Sequence, residues 1–186
     1  MSPGLGVGGY CLTKDPAFTP AASSQLHNEK NLRFPFSRLT IATNTEMPNH
    51  TYNRTKKLLG GSLQGKTILI LGISYRQDVG DTRFSPVELL VENFKRDGVI
   101  LKLHDPHVDF WEEQHVFLEG QFPNPKELDA VILCVAHKEY VNFDYIKWLN
   151  NSVLVIVDAN NVLSESIRNK MRAKGTVVES IGRGSG

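Results

Sequence analysis

The chain has little of what would mark a specialised class. Only two of its 186 residues are cysteine, Cys11 and Cys134, and their contexts are unlike, so no disulfide framework is expected. Charge of neither sign prevails: 21 Lys and Arg stand against 20 Asp and Glu, a formal net charge of +1. That balance speaks against a nucleic-acid footprint and against attraction to acidic membranes. No run approaches the ~18 apolar residues of a membrane span. The Gly-rich start, Met1 to Gly9, lacks the basic-then-apolar order of a signal peptide. A soluble, cytoplasmic protein is therefore expected, and its Asn-x-Ser/Thr sites carry no weight. What remains is ordinary: 40% apolar and 22% charged residues, enough for a core without staples.

The pattern changes near Gly60-Gly61. Upstream, residues rich in Gly, Pro, Asn and Thr show no strand periodicity. Asn28 to Phe36 reads as loop, and Leu39 to Leu59 as helical but interrupted by Pro48, giving two helices or a kinked one. Downstream, strand-like and helix-like stretches alternate, the signature of a parallel α/β sheet. Thr67 to Gly72 is a buried strand. Ser85 reads as an N-cap, Pro86 as the first helical residue and Glu88 as a capping-box partner. Val87, Leu90, Val91 and Phe94 then share one apolar stripe, ended by Gly98. Further strands are expected at Val99 to His104, Ala130 to Val135, Val153 to Val157 and Thr176 to Ile181. Helices are expected at Asp144 to Leu149 and Ser164 to Lys174, with Asp109 to Pro125 a poorly patterned helix and loop. The fold class is α/β, a Rossmann-like doubly wound sheet.

Gly4 to Gly9 satisfies G-x-G-x-x-G, but only Met1-Ser2-Pro3 precede it. The strand that a dinucleotide fingerprint needs is missing. A flexible linker is one reading; a loop that lets a ligand approach the backbone is the better one. Cys11 follows, with Lys14 and Asp15 three and four residues on, which a helical turn would bring to adjacent faces. A thiol at a helix start near a cation is a candidate nucleophile, and Asp15 a candidate base for water. A small buried side chain is the competing reading, and both stay open. Cys134, mid-strand, reads as core. Arg76, Asp78, Asp81 and Arg83 lie at the C-terminal end of the first strand, where ligands bind in open α/β sheets. The helix opening at Ser85 was expected to aim N–H groups at the same anion; a surface Arg–Asp network is the alternative. His104, Asp105 and His107 suggest a metal set, but Asp-Pro after a strand is an ordinary turn, and no metal is expected.

Together these segments resemble the UDP-glucose/GDP-mannose dehydrogenase family of nucleotide-sugar 6-dehydrogenases. Gly6 to Pro16 is similar to the family's catalytic Cys segment. Gly72-Ile73-Ser74-Tyr75-Arg76 with Asp81 to Pro86 is similar to the opening of its C-terminal nucleotide-binding domain. Asn44, Met47-Pro48, His104-Asp105-Pro106, His137 and Asp158 to Leu163 follow in family order. The resemblance implies a catalytic Cys loop and partial helical dimerisation segment over residues 1–60. Residues 61–186 would be the nucleotide-sugar (UDP)-binding domain. The family's NAD-binding domain is expected to precede residue 1, so that this chain alone is expected to be inactive. Implied is oxidation of the C6 alcohol of a UDP- or GDP-sugar to a carboxylate, with two NAD as cofactor. Cys11 would form a thiohemiacetal and then a thioester, and Asp15 would help activate the hydrolytic water. Lys14 and Arg83 would contact NAD. Ser2 to Gly8 (Gly4, Leu5, Gly6, Val7 and Gly8 among them), Tyr75 and Arg76 would hold the substrate. A homodimer or higher assembly is implied. Arg76 stands where the family often has Lys, and Asn160-Asn161 where a basic residue is common. The rival expectation is a stand-alone, non-catalytic nucleotide-binding or protein-interaction module.

Overall fold

In a computed structural model, residues 4–26 and 33–182 are described; the start of the Asn28 to Phe36 stretch and Ser2 lie outside them. After the Gly-rich loop come α1 (Tyr10–Lys14), a 3-10 turn (Asp15–Ala17), α2 (Phe18–Leu26) and the long helix α3 (Pro35–Leu58). The rest builds a sheet. Its elements are β1 (Thr67–Leu71), α4 (Val87–Arg96), β2 (Ile100–His104), the hairpin β3 (Phe110–Trp111) and β4 (Val116–Phe117), and β5 (Ala130–Leu133). They continue with α5 (Lys138–Val141), α6 (Tyr145–Leu149), β6 (Val155–Asp158), α7 (Glu165–Ala173) and β7 (Val177–Ser180).

Five strands pair in the order β2-β1-β5-β6-β7, all parallel. β1 is apolar along its length because both faces of the sheet are covered. Ile68 and Ile70 join the cluster under α3 and α4 with Leu90, Val91 and Phe94, all fully buried. Leu69 and Leu71 point the other way, to Tyr140, Tyr145, Leu149 and Met171. Cys134 is buried in the first cluster, and burial pushes its thiol pKa up. The order reverses at β1: β2 lies on one side of it and β5 on the other. That switch point puts the C-terminal ends of β1 and β5 side by side, at the edge where ligands bind in such sheets.

The structure narrows or corrects several expectations. Of the two alternatives at Pro48, two separate helices are excluded: α3 is one helix that runs through it, and its start at Pro35 takes in the end of the stretch read as loop. An interior proline forfeits the bond to the carbonyl four residues back and costs about 3 kcal/mol. Packing of the helix's second half offsets this: Thr51 and Thr55 are fully buried, Tyr52 stacks 5.5 Å from Phe94, and Asn49 accepts from Asn93 at 2.7 Å. α4 begins at Val87 rather than Pro86, with Ser85 Oγ accepting from Val87 N–H at 3.3 Å. No capping box closes, because Glu88 accepts from Gln114 Nε2 instead. Residues 109–125 form the β3–β4 hairpin and short 3-10 turns. The one-turn helix α5, after β5, had no sequence signal.

Candidate functional site

The Gly-rich loop is pinned between α3 and the loop after β1. Asn44 on α3 uses its carboxamide as a strand would: Oδ1 accepts from Val7 N–H at 2.7 Å and Nδ2 donates to Val7 O at 2.8 Å. Gly8 lies so close to its neighbours that a Cβ would sit 2.7 Å from Tyr75 Cβ and 2.8 Å from the Phe84 carbonyl. Only glycine permits this approach. Tyr10 then meets Phe84 edge-on, with ring centroids 5.3 Å apart.

These contacts open a cleft of about 440 Å³ lined by Gly6 to Gly9, Tyr10, Cys11, Tyr75, Arg76, Asp81 and Arg83. Cys11 is an exposed free thiol. Arg83 closes on Asp81 in a bidentate pair at 2.9 and 2.7 Å. Hydrogen bonding to Arg83 holds the Asp81 carboxyl below the usual range, and the Arg83 pKa is raised in return. Arg76, exposed, makes no hydrogen bond or ion pair among the described residues. An unpaired guanidinium beside a thiol and a glycine-rich backbone offers bidentate donors to a phosphate.

Of the residues singled out in the sequence, the cleft thus gathers Gly6, Val7, Gly8, Cys11, Tyr75, Arg76 and Arg83. It does not gather Gly4, Leu5, Lys14 or Asp15. Leu5 is buried in the core, and Gly4 packs against Asn160. Lys14 Nζ sits 3.7 Å over the Tyr10 ring, and Asp15 opens the exposed 3-10 turn. The start of α4 also points elsewhere. Ser85 and Pro86 line a separate, mainly apolar cavity of about 530 Å³ with Ile41, Pro48 and Leu89. The helix start at the arginine cleft is that of the short α1, whose Gly9, Tyr10 and Cys11 line it.

The His-Asp-Pro turn supplies no shared metal set. His104 bonds Tyr140 OH at 2.8 Å and packs on Phe122, and burial lowers its pKa. Asp105 turns inward, while His107 joins Asp78, His137 and Glu139, whose ligand atoms lie within 4.8 Å of one another. Both His137 nitrogens are engaged by other partners, Nδ1 by Asp78 N–H at 2.9 Å and Nε2 by Asp105 at 3.1 Å. Sequence reasoning had no signal for Asn44 or His137 as supports of the site beyond their place in the family order.

Comparison with known proteins agrees with this architecture. The UDP binding domain of the UDP-glucose/GDP-mannose dehydrogenase family matches residues 69–165. UDP-N-acetyl-D-mannosamine dehydrogenase of Methanocaldococcus jannaschii is 30% identical over 175 residues, covering 91% of this chain and 38% of that protein. UDP-glucose 6-dehydrogenase TuaD of Bacillus subtilis is 25% identical over 193 residues, covering 98% and 39%. The crystal structure of NDP-N-acetyl-D-galactosaminuronic acid dehydrogenase from Methanosarcina mazei Go1 superposes with a TM-score of 0.84 at 26% identity, covering 98% of this chain and 40% of that one. The chain spans about two-fifths of the length of these relatives. Residues 69–165 make up more than half of it, and on that match the chain belongs to the UDP-glucose/GDP-mannose dehydrogenase family.

Proposed function

We propose that this chain holds the nucleotide sugar, and presents the reacting thiol, in a nucleotide-sugar 6-dehydrogenase. The observation that carries the reading is one cleft in which exposed Cys11 and unpaired Arg76 lie beside the Gly-rich loop. Arg76 and Tyr75 hold the nucleotide's diphosphate and the sugar, with Gly6, Val7 and Gly8 as the backbone wall. Tight packing at Gly8 and the Asn44 clasp on Val7 preorganise that wall. Leu5 sets the loop's root in the core, and Gly4 lines a second cavity of about 550 Å³ with Gly6, Val7, Asn44 and Asn160 on the loop's other side.

The residues fit NAD to the extent of one exposed cation at the cleft rim, Arg83, whose present counter-ion is Asp81; Lys14, on α1 one turn from Cys11, lies outside the cleft over the Tyr10 ring. Two NAD, bound in succession, would each supply the acceptor for one hydride. Cys11 adds through its thiolate to the C6 aldehyde, giving a thiohemiacetal. Oxidised a second time, the adduct would be a thioester on Cys11, and water would release the carboxylate and free the thiol; Asp15, outside the cleft but at the end of the same short helix, would have to turn toward that water to help activate it. The relatives that match are more than twice as long, so we assign turnover to an assembly containing further residues, and none to this chain alone. Exposed Phe36 and Leu39 on α3 support a homodimer or higher assembly through the helical segment. Among the described residues no helix is long and apolar enough to cross a membrane, in keeping with work in the cytoplasm on a soluble substrate.

A thermal-shift series tests the reading, using UDP, UDP-sugars, GDP-mannose and NAD on the wild type and on Arg76→Ala. A ligand at about 100 times its Kd stabilises the fold by roughly 2.7 kcal/mol. A shift with one class of sugar nucleotide, lost in Arg76→Ala, is the expected result. Equal shifts in both proteins, or none with any nucleotide, would overturn it.

A further inference from the structure

The loop that carries Arg76, Asp81 and Arg83 joins the end of β1 to the start of α4; within it Tyr75 N–H donates to the Asp81 carbonyl at 2.9 Å and Arg83 closes on Asp81, but its first residues and Asp78 have no such internal tie. Two buried side chains from other loops hold it. Asp105, after β2, accepts with Oδ2 from Ile73 N–H at 2.8 Å, Ser74 N–H at 3.0 Å and Ser74 Oγ–H at 2.8 Å. Its Oδ1 accepts from His107 N–H at 2.9 Å. His137, after β5 and fully buried, faces Asp105 Oδ2 with Nε2 at 3.1 Å and accepts from Asp78 N–H with Nδ1 at 2.9 Å. The first residues of the loop and its middle are therefore tied to one Asp–His pair across the switch point of the sheet.

The middle tie falls where the backbone needs one. Asp78 has φ 58, a left-handed conformation that non-glycine residues adopt at a cost and keep only when their surroundings enforce it. Its amide is held by His137, and its carboxylate accepts from Lys138 N–H at 3.0 Å. That hydrogen bond and the Lys138 ammonium hold the Asp78 carboxyl below its ordinary range. Burial alone would raise the Asp105 carboxyl. The His137 ring and the amides of Ser74, His107 and Ile73 outweigh that and bring it down to about 2. Because Nδ1 receives an N–H, the imidazole proton belongs on Nε2, where it donates to Asp105.

We propose that His137 is a positioning residue for nucleotide binding: by bridging buried Asp105 to the Asp78 amide it fixes the loop conformation in which Arg76 and Arg83 line the cleft. The ligand half of this statement rests on the reading of that cleft as the diphosphate site. The role demands two different atoms of one ring, and the two amide side chains separate them. In His137→Asn the side-chain oxygen can occupy the Nδ1 position and still accept from Asp78. In His137→Gln the side-chain nitrogen reaches the Nε2 position and keeps Asp105, but no acceptor faces Asp78.

The experiment is amide hydrogen exchange by NMR on the full chain, with UDP titrations, for the wild type and both variants. His137→Asn is expected to keep Asp78 protected. His137→Gln is expected to lose about tenfold or more of that protection and a comparable factor in UDP affinity, the scale of one lost hydrogen bond. UDP affinity should follow Asp78 protection and not the melting temperature. Unchanged Asp78 exchange in His137→Gln, or equal losses in both variants, overturns the proposal. Should neither variant fold, the wild type still decides: long-range 15N–1H spectra must place the His137 proton on Nε2, and a proton on Nδ1 refutes the bridge. If the wild type fails to bind UDP while Asp78 protection still splits between the variants, the diphosphate reading falls and the bridge stands.

Discussion

Helix α3 spends 24 residues to bury Pro48, Thr51 and Thr55, whereas ten-residue α4 buries Val87, Leu90, Val91, Asn93 and Phe94. The same contrast runs through the two regions they represent. Phe18, Leu26, Phe36 and Leu39 are exposed in the helical segment. The central strands β1, β5 and β6 consist almost wholly of residues with no exposure. The sheet region is stabilised by apolar burial on both faces; α3 lies on it through one seam of buried Pro48, Thr51 and Thr55, partly buried Tyr52 and Leu58, and polar bonds. The cleft sits at that seam. Its thiol and glycine wall come from the lightly buried part, and its arginines from a loop anchored to the rigid part. Such a division lets a rigid scaffold set charge geometry while the exposed face of the lighter segment is left for a further protein surface.

The sharpest way to break this comparison is to truncate one phenylalanine in each region. Phe94 is fully buried between β1 and α3, and Phe94→Ala should cost about 3–5 kcal/mol through lost burial and the cavity left behind. Phe36 is 81% exposed, and Phe36→Ala should stay within about 0.5 kcal/mol. Urea unfolding of the two variants measures both. A loss at Phe36 approaching that at Phe94 would mean that the exposed face of α3 is covered in solution.

What the sequence conveyed follows the same divide. β1 and the α4 stripe were readable because periodic apolar residues meet a core that rewards their period. Helix α3 was readable only as helical residues around Pro48, in two pieces or one kinked piece, because local propensity there predicts an interruption while packing of Tyr52 and Thr55 further along keeps the helix continuous. Two-residue strands such as Phe110–Trp111 are too short to show any period. In the site, Cys11, Arg76 and Arg83 were readable as local motifs. Their supports were not, since Asn44 reaches back 37 residues to Val7 and His137 reaches back 59 to Asp78. Side-chain bonds to distant backbone leave no periodic trace. The capping box failed for a related reason: Glu88 found a partner in Gln114, 26 residues away.

A second prediction sharpens the claim that the arginine loop is anchored on the rigid side. The Asp105 carboxyl is lowered from 3.8 to about 2 in the folded state. A depressed folded pKa stabilises the protein above the unfolded value, and that contribution is lost as pH falls from about 4 toward 2. It amounts to about 2 kcal/mol at neutral pH. Unfolding free energies of the wild type and Asp105→Asn, measured from pH 6 down to 2, should converge by about that amount across the window. Parallel curves would place the acid-sensitive group elsewhere.

The smallest effect concerns the seam itself. Arg54 on α3 reaches Glu179 on β7 at 2.8 Å, with both side chains partly exposed at 35% and 24%. Hydrogen bonding to Glu179 raises the Arg54 pKa, but solvent screens an exposed pair and side-chain entropy opposes it. The coupling energy in an Arg54→Ala, Glu179→Ala double-mutant cycle should therefore be below about 1 kcal/mol and shrink further in high salt. Lys56 with Asp97 forms a second such link between the regions. If both are weak, buried Thr51 and Thr55 and partly buried Tyr52 hold α3 in place, and the seam is a packing contact that charges merely register. A coupling well above that bound, insensitive to salt, would reverse this account: the long helix would be held by its ion pairs, and its small buried residues would serve only to bring the backbone within their reach.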